Sequence, residues 1–402
     1  MTRNHCPSPK GLTLVVALLS MIGPFTIDTY LPAFPAIEAE FNVSRALLSQ
    51  SMALYLAAFA ISTLVGGPLA DRFGRRRTIL GALLIYLLAS LGCALANDYG
   101  SFLFFRLLQG IAAGGALVAG RTMVRDVYNP QDAQRVMSRV MMLFMLAPAV
   151  APVFGGWLHD LFGWRSIFYF LTLFSGLVFV LMMRWIPETL NPAHRQSFHP
   201  RNVARIYGNT LTHRRFLLLA FIVACYFGGG FIYIVGAPSV VFDFLGLSSN
   251  DFAVLFVPMV AGIMAGAWIS GRVAHRWPVV RTARLALLCM LLAALLNTMQ
   301  ALWLKQMVLT AVLPLVLYNV GFGIAMPAFM VLSLDCFPNH RGSASGMQGF
   351  VQTLSIALLA SLAVPLLLIH PAYMAMGQLL LVLVALGLWW CIPPLANKPS
   401  TP

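Results

Sequence analysis

The chain has 402 residues, of which 60% are hydrophobic and only 9% are charged, and its mean hydropathy is +0.83. A soluble domain averages about 25% charged residues, so this composition excludes a soluble enzyme or binding module and indicates a multi-pass membrane protein. The formal net charge of +14 is carried by short segments between long apolar runs, which argues against a nucleic-acid-binding surface and points to orientation in a membrane.

Twelve apolar runs are long enough to cross a membrane as helices, since a crossing needs about 20 residues. The first run follows Arg3 and Lys10, as a secretory signal would, but its apolar core of about 25 residues is too long for a signal peptide, so we predict an uncleaved helix. The predicted spans are residues 12–36, 46–70, 78–97, 101–124, 136–158, 165–186, 216–240, 252–271, 285–304, 307–333, 343–368 and 372–394.

Lys and Arg are distributed unequally between the two sides of the predicted membrane. With both termini in the cytoplasm, roughly twenty of them fall on the cytoplasmic side, and about three, namely Arg45, Arg165 and Lys305, fall outside. Membrane proteins keep basic loops on the cytoplasmic side. We therefore predict a multi-pass protein of the cell inner (cytoplasmic) membrane with both termini cytoplasmic.

The longest polar segment divides the chain into two halves of six predicted helices. Three landmarks recur at offsets of about 204, 209 and 206 residues. Duplicated halves with a substrate site at their interface are typical of secondary transporters. The sequence therefore predicts an all-α polytopic membrane protein with two pseudo-symmetric six-helix halves. The halves are residues 1–186 and 216–402, the linker is 187–215, and the landmarks are 67–73 with 271–277, 125–130 with 334–339, and 29–34 with 235–240.

The stretch TIDTYLPAFP, residues 26–35, places Asp28 inside the first apolar run. An ionised Asp in hydrocarbon costs roughly 2.5–3.5 kcal/mol unless it has a partner or a hydrated cavity. Such a residue in a membrane helix is functional by default. We therefore predict a functional role for Asp28.

The loop GPLADRFGRRRTIL, residues 67–80, resembles the signature G-x-L-a-D-R-x-G-R-R/K of the major facilitator superfamily. Its glycines suit tight turns and close helix approach. The resemblance implies a cytoplasmic latch in which Asp71 meets Arg125 and the helix that begins at GSASG (342–346), closed while the site faces outward. In the alternative, Arg72 and its neighbours only hold the topology. The predicted latch comprises Gly67, Asp71, Arg72, Gly74, Arg75, Arg125 and Asp126.

The fourth predicted span contains LFFRLLQGIAAGG, residues 103–115, which resembles the R-x-x-Q-G signature of the same superfamily. A buried Arg needs a counter-charge or converging acceptors. At 1.5 Å per residue, Asp28 lies about 12 Å and Arg106 about 8 Å from the outer ends of their helices. These depths allow an interaction between the two side chains, directly or through water. Alternatively, Arg106 extends to the outer interface.

The fifth predicted span contains LAPAVAPVFGGWL, residues 146–158, which resembles the antiporter signature g-x-x-x-G-P-x-x-G-G. Pro152, Gly155 and Gly156 match, while Ala147 and Ala151 replace two glycines. Small residues let helices approach closely, and proline bends a span. Within the superfamily this motif belongs to exporters that exchange substrate for protons, so the resemblance implies antiport.

IDTYLPAFP, RDVY (125–128) and LDCFP (334–338) resemble the bicyclomycin- and chloramphenicol-resistance (Bcr/CflA) branch of drug:proton antiporters. The resemblance covers essentially the whole chain and implies multidrug efflux of small, largely apolar compounds. Our hypothesis is that the Asp28 carboxyl group carries the transported proton and that Arg106 adjusts the pKa of this carboxyl group. A competing carboxylate, Asp126, lies beside Arg125, where a structural ion pair is the favoured interpretation.

A pocket for varied drugs should be apolar, aromatic and adaptable. Amide side chains in the middle of a span are also candidates for the pocket. If they faced lipid, their hydrogen-bonding groups would be unpaired. Many such side chains simply face lipid or neighbouring helices, which is the alternative for each. The predicted substrate-binding residues are Tyr30, Tyr55, Met142, Met145, Tyr226, Tyr233, Asn319, Gln348 and Gln352.

Other functions remain as alternatives to drug efflux. A symporter or an exporter of one small metabolite on the same fold would need more polar groups than the predicted cavity offers. An enzyme is disfavoured, since GSASG has Ala344 where a G-x-S-x-G nucleophile would stand. The six cysteines and eight histidines lack metal-ligand spacing, so we expect no metal and no cofactor. The expected partners are drugs, protons and the lipid bilayer, with the protein a monomer and no nucleic acid bound.

Overall fold

The computed structural model describes residues 9–190, 208, 212–274, 276–304, 307–337 and 341–392. Within these residues the chain is helical and contains no strand. Twelve helices are long and apolar enough to cross a membrane, which confirms the predicted fold class. Most of the predicted linker, 187–215, lies outside the described residues.

We number the α-helices in chain order, so that the first span comprises α1 and α2 and the eleventh comprises α12 and α13. Two short π-helical segments accompany them. Residues 239–244 extend the seventh span beyond α8, and residues 359–363 join α12 to α13. The helices are α1 Pro9–Asp28, α2 Phe34–Phe41, α3 Arg45–Phe73, α4 Arg75–Leu95, α5 Tyr99–Val127, α6 Pro130–Phe162, α7 Arg165–Trp185, α8 Arg214–Val235, α9 Phe252–Val273, α10 Val279–Trp303, α11 Val308–Leu334, α12 Arg341–Leu358, α13 Val364–Leu367 and α14 Pro371–Trp390.

Polar residues begin several helices where the loops are short. The side chain of Ser44 accepts a hydrogen bond from the backbone N–H of Leu47 at 3.2 Å and starts α3. Asp98 accepts the N–H of Ser101 at 2.8 Å and starts α5. The hydrogen bonds from Ser101 hold the pKa of the exposed Asp98 carboxyl below its usual range. These caps satisfy backbone donors that have no partner within the first turn of a helix.

The first span is not the continuous helix that we predicted over residues 12–36. It is interrupted after Asp28 by a turn and by a 3₁₀ segment, Leu31–Ala33, before α2 begins at Phe34. Two prolines, Pro32 and Pro35, explain the interruption, because proline lacks a backbone N–H and disfavours helical geometry in the preceding residue. The break places Asp28 at the C-terminal end of α1.

The two halves repeat the same arrangement of spans. In each half the first span is the most enclosed, 67% buried, and the fourth is 56% buried, whereas the others are 28–39% buried. In the N-terminal half α5 packs on α3 and α4, and in the C-terminal half α11 packs on α9 and α10. The halves meet through α3 with α12 and through α6 with α9, which are equivalent pairs. This recurrence supports the proposal of two related halves.

The bundle has two ends, which we name after one residue each. The Arg45 face carries the loops around residues 42–44, 96–98, 163–164 and 245–248. The Asp71 face carries Gly74, the segment after Trp185, and the start of α8. The positive-inside prediction assigns the Asp71 face to the cytoplasm.

Candidate transport site

Asp28 is buried at the break in the first span. Its side chain is 3% exposed, and its Oδ1 atom has no hydrogen-bond partner. A buried carboxylate oxygen without a donor costs free energy while the group is ionised, and much less once it is protonated. Asp28 is therefore a buried carboxyl group whose hydrogen bonding is incomplete.

Arg106 is fully buried and lies between two tyrosine rings. Its guanidinium carbon is 4.6 Å from the ring centroid of Tyr30 and 4.8 Å from that of Tyr55. Each such contact stabilises the cation by about 0.5–2 kcal/mol. Two of the three guanidinium nitrogens, Nε and Nη2, have no hydrogen-bond partner. The rings thus hold a charge that its hydrogen bonds satisfy only in part.

The third guanidinium nitrogen connects Arg106 to a polar network within the N-terminal half. Nη1 donates to Gln109 Oε1 at 2.9 Å and to the carbonyl oxygen of Thr26 at 3.3 Å. Gln109 Nε2 donates in turn to Ser90 Oγ at 2.8 Å. The Thr26 hydroxyl shares a 2.5 Å hydrogen bond with the Tyr86 hydroxyl. This network joins α1, α4 and α5 around one positive charge.

Asp28 and Arg106 do not form the direct ion pair that their predicted depths allowed. The ion pairs among the described residues do not include either side chain. Both side chains nevertheless act electrostatically on Tyr55, so they lie in one neighbourhood. The alternative in which Arg106 extends to the outer interface is wrong, because its side chain is 0% exposed.

The glycines of the predicted antiporter motif lie against the break in the first span and against the other half. A Cβ atom added to Gly155 would overlap the carbonyl oxygen of Thr29. A Cβ atom added to Gly156 would lie 2.5 Å from the carbonyl oxygen of Ser249. Pro152 is buried within α6, one turn earlier. Glycine is therefore required at both positions for α6 to touch Thr29 and the start of α9.

The two halves are joined at the Arg45 face. Arg45 forms an ion pair with Asp243 and reaches Ser239 at 3.4 Å. Gln50 Nε2 donates to the carbonyl oxygen of Ser361 at 2.9 Å. The Asp160 carboxylate accepts from Ser249 Oγ and from Asn250 Nδ2, both at 2.6 Å. These hydrogen bonds and ion pairs, all of which cross between the halves, belong to this face.

The central helices are less enclosed toward the Asp71 face. Within the described parts of α1 and α8, the exposed large apolar side chains are Leu14 and Phe221, and both lie in the half nearer that face. We name the space between α1, α5, α8 and α11 the central cleft. The polar contacts between the halves thus lie at the Arg45 face, and α1 and α8 expose their large apolar side chains nearer the Asp71 face.

The predicted latch has different partners in this conformation. Asp71 pairs with Arg75, and Arg75 Nε reaches Asp126 Oδ2 at 3.1 Å, so Asp71 does not pair with Arg125 in this conformation, and the latch expected for the outward-facing state stays a prediction. Arg125 is exposed, as is Arg72, which stacks on Phe73 at 5.1 Å. The side chains of residues 341–344 lie outside the description, so the expected contact with that helix start is not described.

The two signature glycines of this loop, Gly67 and Gly74, have different structural roles. Gly74 has φ +100° and ends α3, and an added Cβ would overlap the carboxylate of Glu188. Glu188 Oε1 also accepts the N–H of Arg75 at 2.9 Å. Close helix approach, which we expected at Gly67, occurs at Gly66, where an added Cβ would lie 2.7 Å from the Cα of Gly115. At Gly67 an added Cβ would make ordinary contact at 3.7 Å.

The structure separates the nine predicted substrate-binding residues into three groups. Tyr30 and Tyr55 hold Arg106, as described above. Three more are buried in the C-terminal half, where Tyr226 packs in an aromatic cluster, Tyr233 accepts from Asn297, and Asn319 bonds its own helix at Leu315. The remaining four have accessible surface, since Met142 is 64% exposed and three others are half-buried. These three are Met145, Gln348 and Gln352.

A neutral hydrogen-bond network occupies the C-terminal half, and sequence reasoning missed it. Asn297 Nδ2 donates to the Tyr233 hydroxyl at 2.6 Å and to Gln378 Oε1 at 2.9 Å. Gln378 Nε2 reaches the carbonyl oxygen of Gly229 at 3.3 Å. The mid-span amides of Asn297 and Gln378 were the available signal, because lipid would leave them unpaired. A small cavity beside Tyr233 and Asn297 has a volume of about 20 Å³, enough for one water molecule.

Comparisons with known proteins agree with this architecture. A family model described as Major Facilitator Superfamily matches residues 16–360. "Multidrug resistance protein D" of Escherichia coli (strain K12) is 29% identical over 394 residues, covering 97% of each chain. The "Chloramphenicol resistance protein" of Pseudomonas aeruginosa is 28% identical over 365 residues, covering 87% of this chain and 85% of that one. The crystal structure of a D-xylose-proton symporter superposes with a TM-score of 0.74 at 18% identity, covering 96% and 98%.

Proposed function

Because the chain belongs to the Major Facilitator Superfamily, we propose that it is a multidrug efflux transporter that exchanges small, largely apolar drugs for protons. The chain is a multi-pass membrane transporter rather than an enzyme, and its resemblance to the Bcr/CflA branch is confirmed by relatives named for drug resistance. The proposal adds the coupling ion, the location in the cell inner membrane and the direction of transport.

The observation that carries the proposal is the environment of Asp28. A carboxyl group that is buried, lacks a donor at Oδ1 and shares its neighbourhood with a buried guanidinium can change its protonation state when its hydration changes. Opening the cleft to water favours the ionised form, and closure favours the protonated form. One side chain can therefore take up a proton on one side of the membrane and release it on the other.

The contacts around Asp28 supply a route from proton to conformation. Thr29 follows Asp28 directly, and its carbonyl oxygen lies against Gly155 of α6. The neighbouring Gly156 contacts Ser249 of the other half. A change at Asp28 is therefore only a few covalent and van der Waals contacts from the interface that closes the Arg45 face.

The drug would bind in the central cleft below Asp28. Met145, Gln348 and Gln352 are half-buried and offer apolar and amide surface. Thioether side chains repack around different ligands, which suits a transporter of varied drugs. These residues remain proposed substrate contacts.

Asp28→Asn tests this function most directly. We expect drug uptake into inside-out vesicles or proteoliposomes driven by ΔpH to fall at least a hundredfold, while drug-induced fluorescence quenching still reports binding, because Asn cannot exchange a proton. The matched control is Asp132→Asn, which neutralises an accessible carboxylate at the start of α6. Near-normal ΔpH-driven uptake by Asp28→Asn would remove Asp28 from the mechanism.

A further inference from the structure

The connection between α9 and α10 corresponds in sequence to the signature loop of the N-terminal half, but it has no acidic residue. When GPLADRF (67–73) is aligned with GRVAHRW (271–277), His275 takes the position of Asp71. Residues 272–284 contain four arginines and neither Asp nor Glu. The four are Arg272, Arg276, Arg281 and Arg284. This loop thus keeps the positive charge of its counterpart without the carboxylate.

The arginines of the two loops have different partners. In the N-terminal loop, Arg75 pairs with Asp71 and with Asp126, and Arg76 donates to the carbonyl oxygen of Met183 at 2.8 Å. In the C-terminal loop all four arginines are exposed, and the ion pairs of the described residues include none of them. The positive charge of this loop is therefore available to a ligand.

Three of the four guanidinium groups lie against tryptophan rings. Such a contact occupies the flat face of the guanidinium and leaves the N–H donors at its edge free for an oxyanion. The stacks therefore hold three positive charges in place with their donors accessible. The distances from guanidinium carbon to ring centroid are 3.8 Å for Arg272 on Trp268, 4.8 Å for Arg281 on Trp277 and 5.8 Å for Arg284 on Trp390. We name these six residues the arginine–tryptophan surface.

The arginine–tryptophan surface lies where the spans end. Because α8 begins at the Asp71 face and successive spans alternate in direction, α9 ends and α10 begins at this face. Trp390 is the last residue of α14, which packs on α10. The three tryptophans are exposed. Exposed indole rings at the ends of membrane spans are typical of the level of the lipid headgroups.

An apolar track continues from the arginines along α10. Leu288 and Leu292 follow Arg284 at intervals of four residues, so the three share one face of the helix. Both leucines are exposed, as is Leu285, which follows Arg281 by four residues. A charged end above an apolar strip matches a molecule that carries an anionic headgroup on acyl chains.

We propose that the arginine–tryptophan surface is a binding site for an anionic phospholipid, with the phosphate on the arginines and an acyl chain along the leucines of α10. A guanidinium binds phosphate through paired hydrogen bonds, and basic groups beside membrane spans attract anionic lipids. A zwitterionic headgroup also carries a cation, and residues 272–284 offer that cation no carboxylate. The site is separate from the central cleft and does not depend on what the protein transports.

Lipid binding to the purified full-length protein tests this site. Native mass spectrometry resolves each bound lipid by its mass and gives the Kd at each step. The probes are phosphatidylglycerol and phosphatidylcholine with the same acyl chains, so that only the headgroup differs. We expect the first Kd to be at least fivefold lower for phosphatidylglycerol. Equal Kd values for the two lipids would overturn the proposal.

Substitutions then assign the preference to the stacked arginines. Replacing all three with Gln should reduce the preference for phosphatidylglycerol to less than twofold. Replacing them with Lys keeps the charge but loses the paired donors, so it should restore less than half of the preference. The control removes three exposed arginines of the N-terminal half and should keep the preference. The first set is Arg272, Arg281 and Arg284, and the control is Arg77→Gln, Arg135→Gln and Arg139→Gln.

Three outcomes would overturn the assignment to these side chains. They are an unchanged preference in the Gln variant, an equal loss in the control, and full recovery in the Lys variant, which would leave charge alone as the cause. Thermal unfolding verifies that each variant is folded.

Inorganic phosphate distinguishes a lipid site from a general anion site. The lipid-loaded protein is washed with excess phosphate and returned to a volatile buffer before its mass is measured. We expect phosphatidylglycerol to stay bound, because the leucine track holds its chains. Displacement by phosphate would overturn the lipid assignment. No gradient or drug is present, so the result is independent of the proposed export function.

Discussion

The two halves of the molecule share a scaffold and differ in what they bury at its centre. The N-terminal half buries a carboxyl group and a guanidinium, Asp28 and Arg106, with incomplete hydrogen bonding. The C-terminal half buries neutral groups, and Asn297 there links Tyr233 to Gln378 through short hydrogen bonds. The difference indicates that the N-terminal half keeps incompletely paired ionisable groups at its centre, whereas the central amides of the C-terminal half are hydrogen-bonded.

Arg106→Gln should give the largest effect within this comparison. We expect ΔpH-driven transport to fall at least tenfold, because the buried cation between two tyrosine rings, in the neighbourhood of Asp28, is lost. Stability should not fall, since a buried charge with two unpaired nitrogens already costs free energy. Uptake assays and thermal unfolding in detergent measure the two quantities. A large loss of stability with normal coupling in the folded fraction would contradict a role specific to ionic chemistry.

Asn297→Leu should show the opposite pattern in the C-terminal half. It leaves the Tyr233 hydroxyl and Gln378 Oε1 without their donor, and each unsatisfied buried group costs about 1–3 kcal/mol. We expect a lower thermal midpoint and an unchanged number of protons per drug. The proton-to-drug ratio comes from reversal potentials in proteoliposomes, with Gln50→Leu as a control that removes an amide outside this network. An altered ratio would show that the neutral half also carries protons.

The glycine contacts test what the halves have in common. Gly66 meets Gly115 between α3 and α5, and Gly266 meets Gly323 between α9 and α11, with an added Cβ 2.7 and 3.1 Å from the opposing Cα. Gly66→Ala and Gly266→Ala should each destabilise the protein by about 1–3 kcal/mol, because neither helix pair has room for a methyl group. Gly67→Ala, the matched neighbour, should be nearly neutral. Equal thermal midpoints for Gly66→Ala and Gly67→Ala would refute this assignment.

Arg45→Gln should give the smallest effect, at the contact between the halves. Loss of its pairing with Asp243 weakens closure of the Arg45 face, but partly exposed ion pairs contribute only about 1 kcal/mol or less. We expect a few-fold faster labelling of a cysteine placed near Asp28, and little change in stability. Arg165→Gln breaks a pair with Glu40 inside the N-terminal half and is the matched control. Equal labelling rates in the two variants would argue against a cross-half clamp.

Local signals in the sequence predicted much of this structure. Apolar length predicted all twelve spans, because a bilayer requires about 20 apolar residues and leaves few alternatives. The same argument located Asp28 and Arg106 as buried ions. It did not reveal that Pro32 and Pro35 interrupt the first span, since average hydropathy ignores the backbone N–H that proline lacks.

Contacts between residues that are far apart in the sequence could not be predicted from these local signals. Arg45 and Asp243 are 198 positions apart, and nothing local marks them as partners. A motif also does not say which of two adjacent glycines faces a neighbouring helix, so it pointed to Gly67, whereas Gly66 makes the close contact. Arg75, which bridges Asp71 and Asp126, occupies the role that the motif suggested for Arg125 because it lies one helical turn from Asp71.

The interruption after Asp28 also has a mechanical consequence. Because the helical hydrogen-bond ladder is already broken at residues 29–33, α2 can tilt as a short lever without rupturing another turn of helix. Glu38 on that lever holds Arg45 at 2.8 Å, and Arg45 holds Asp243 of the opposite half. Movement at this interruption would therefore be transmitted to the C-terminal half through three successive charged side chains, Glu38, Arg45 and Asp243.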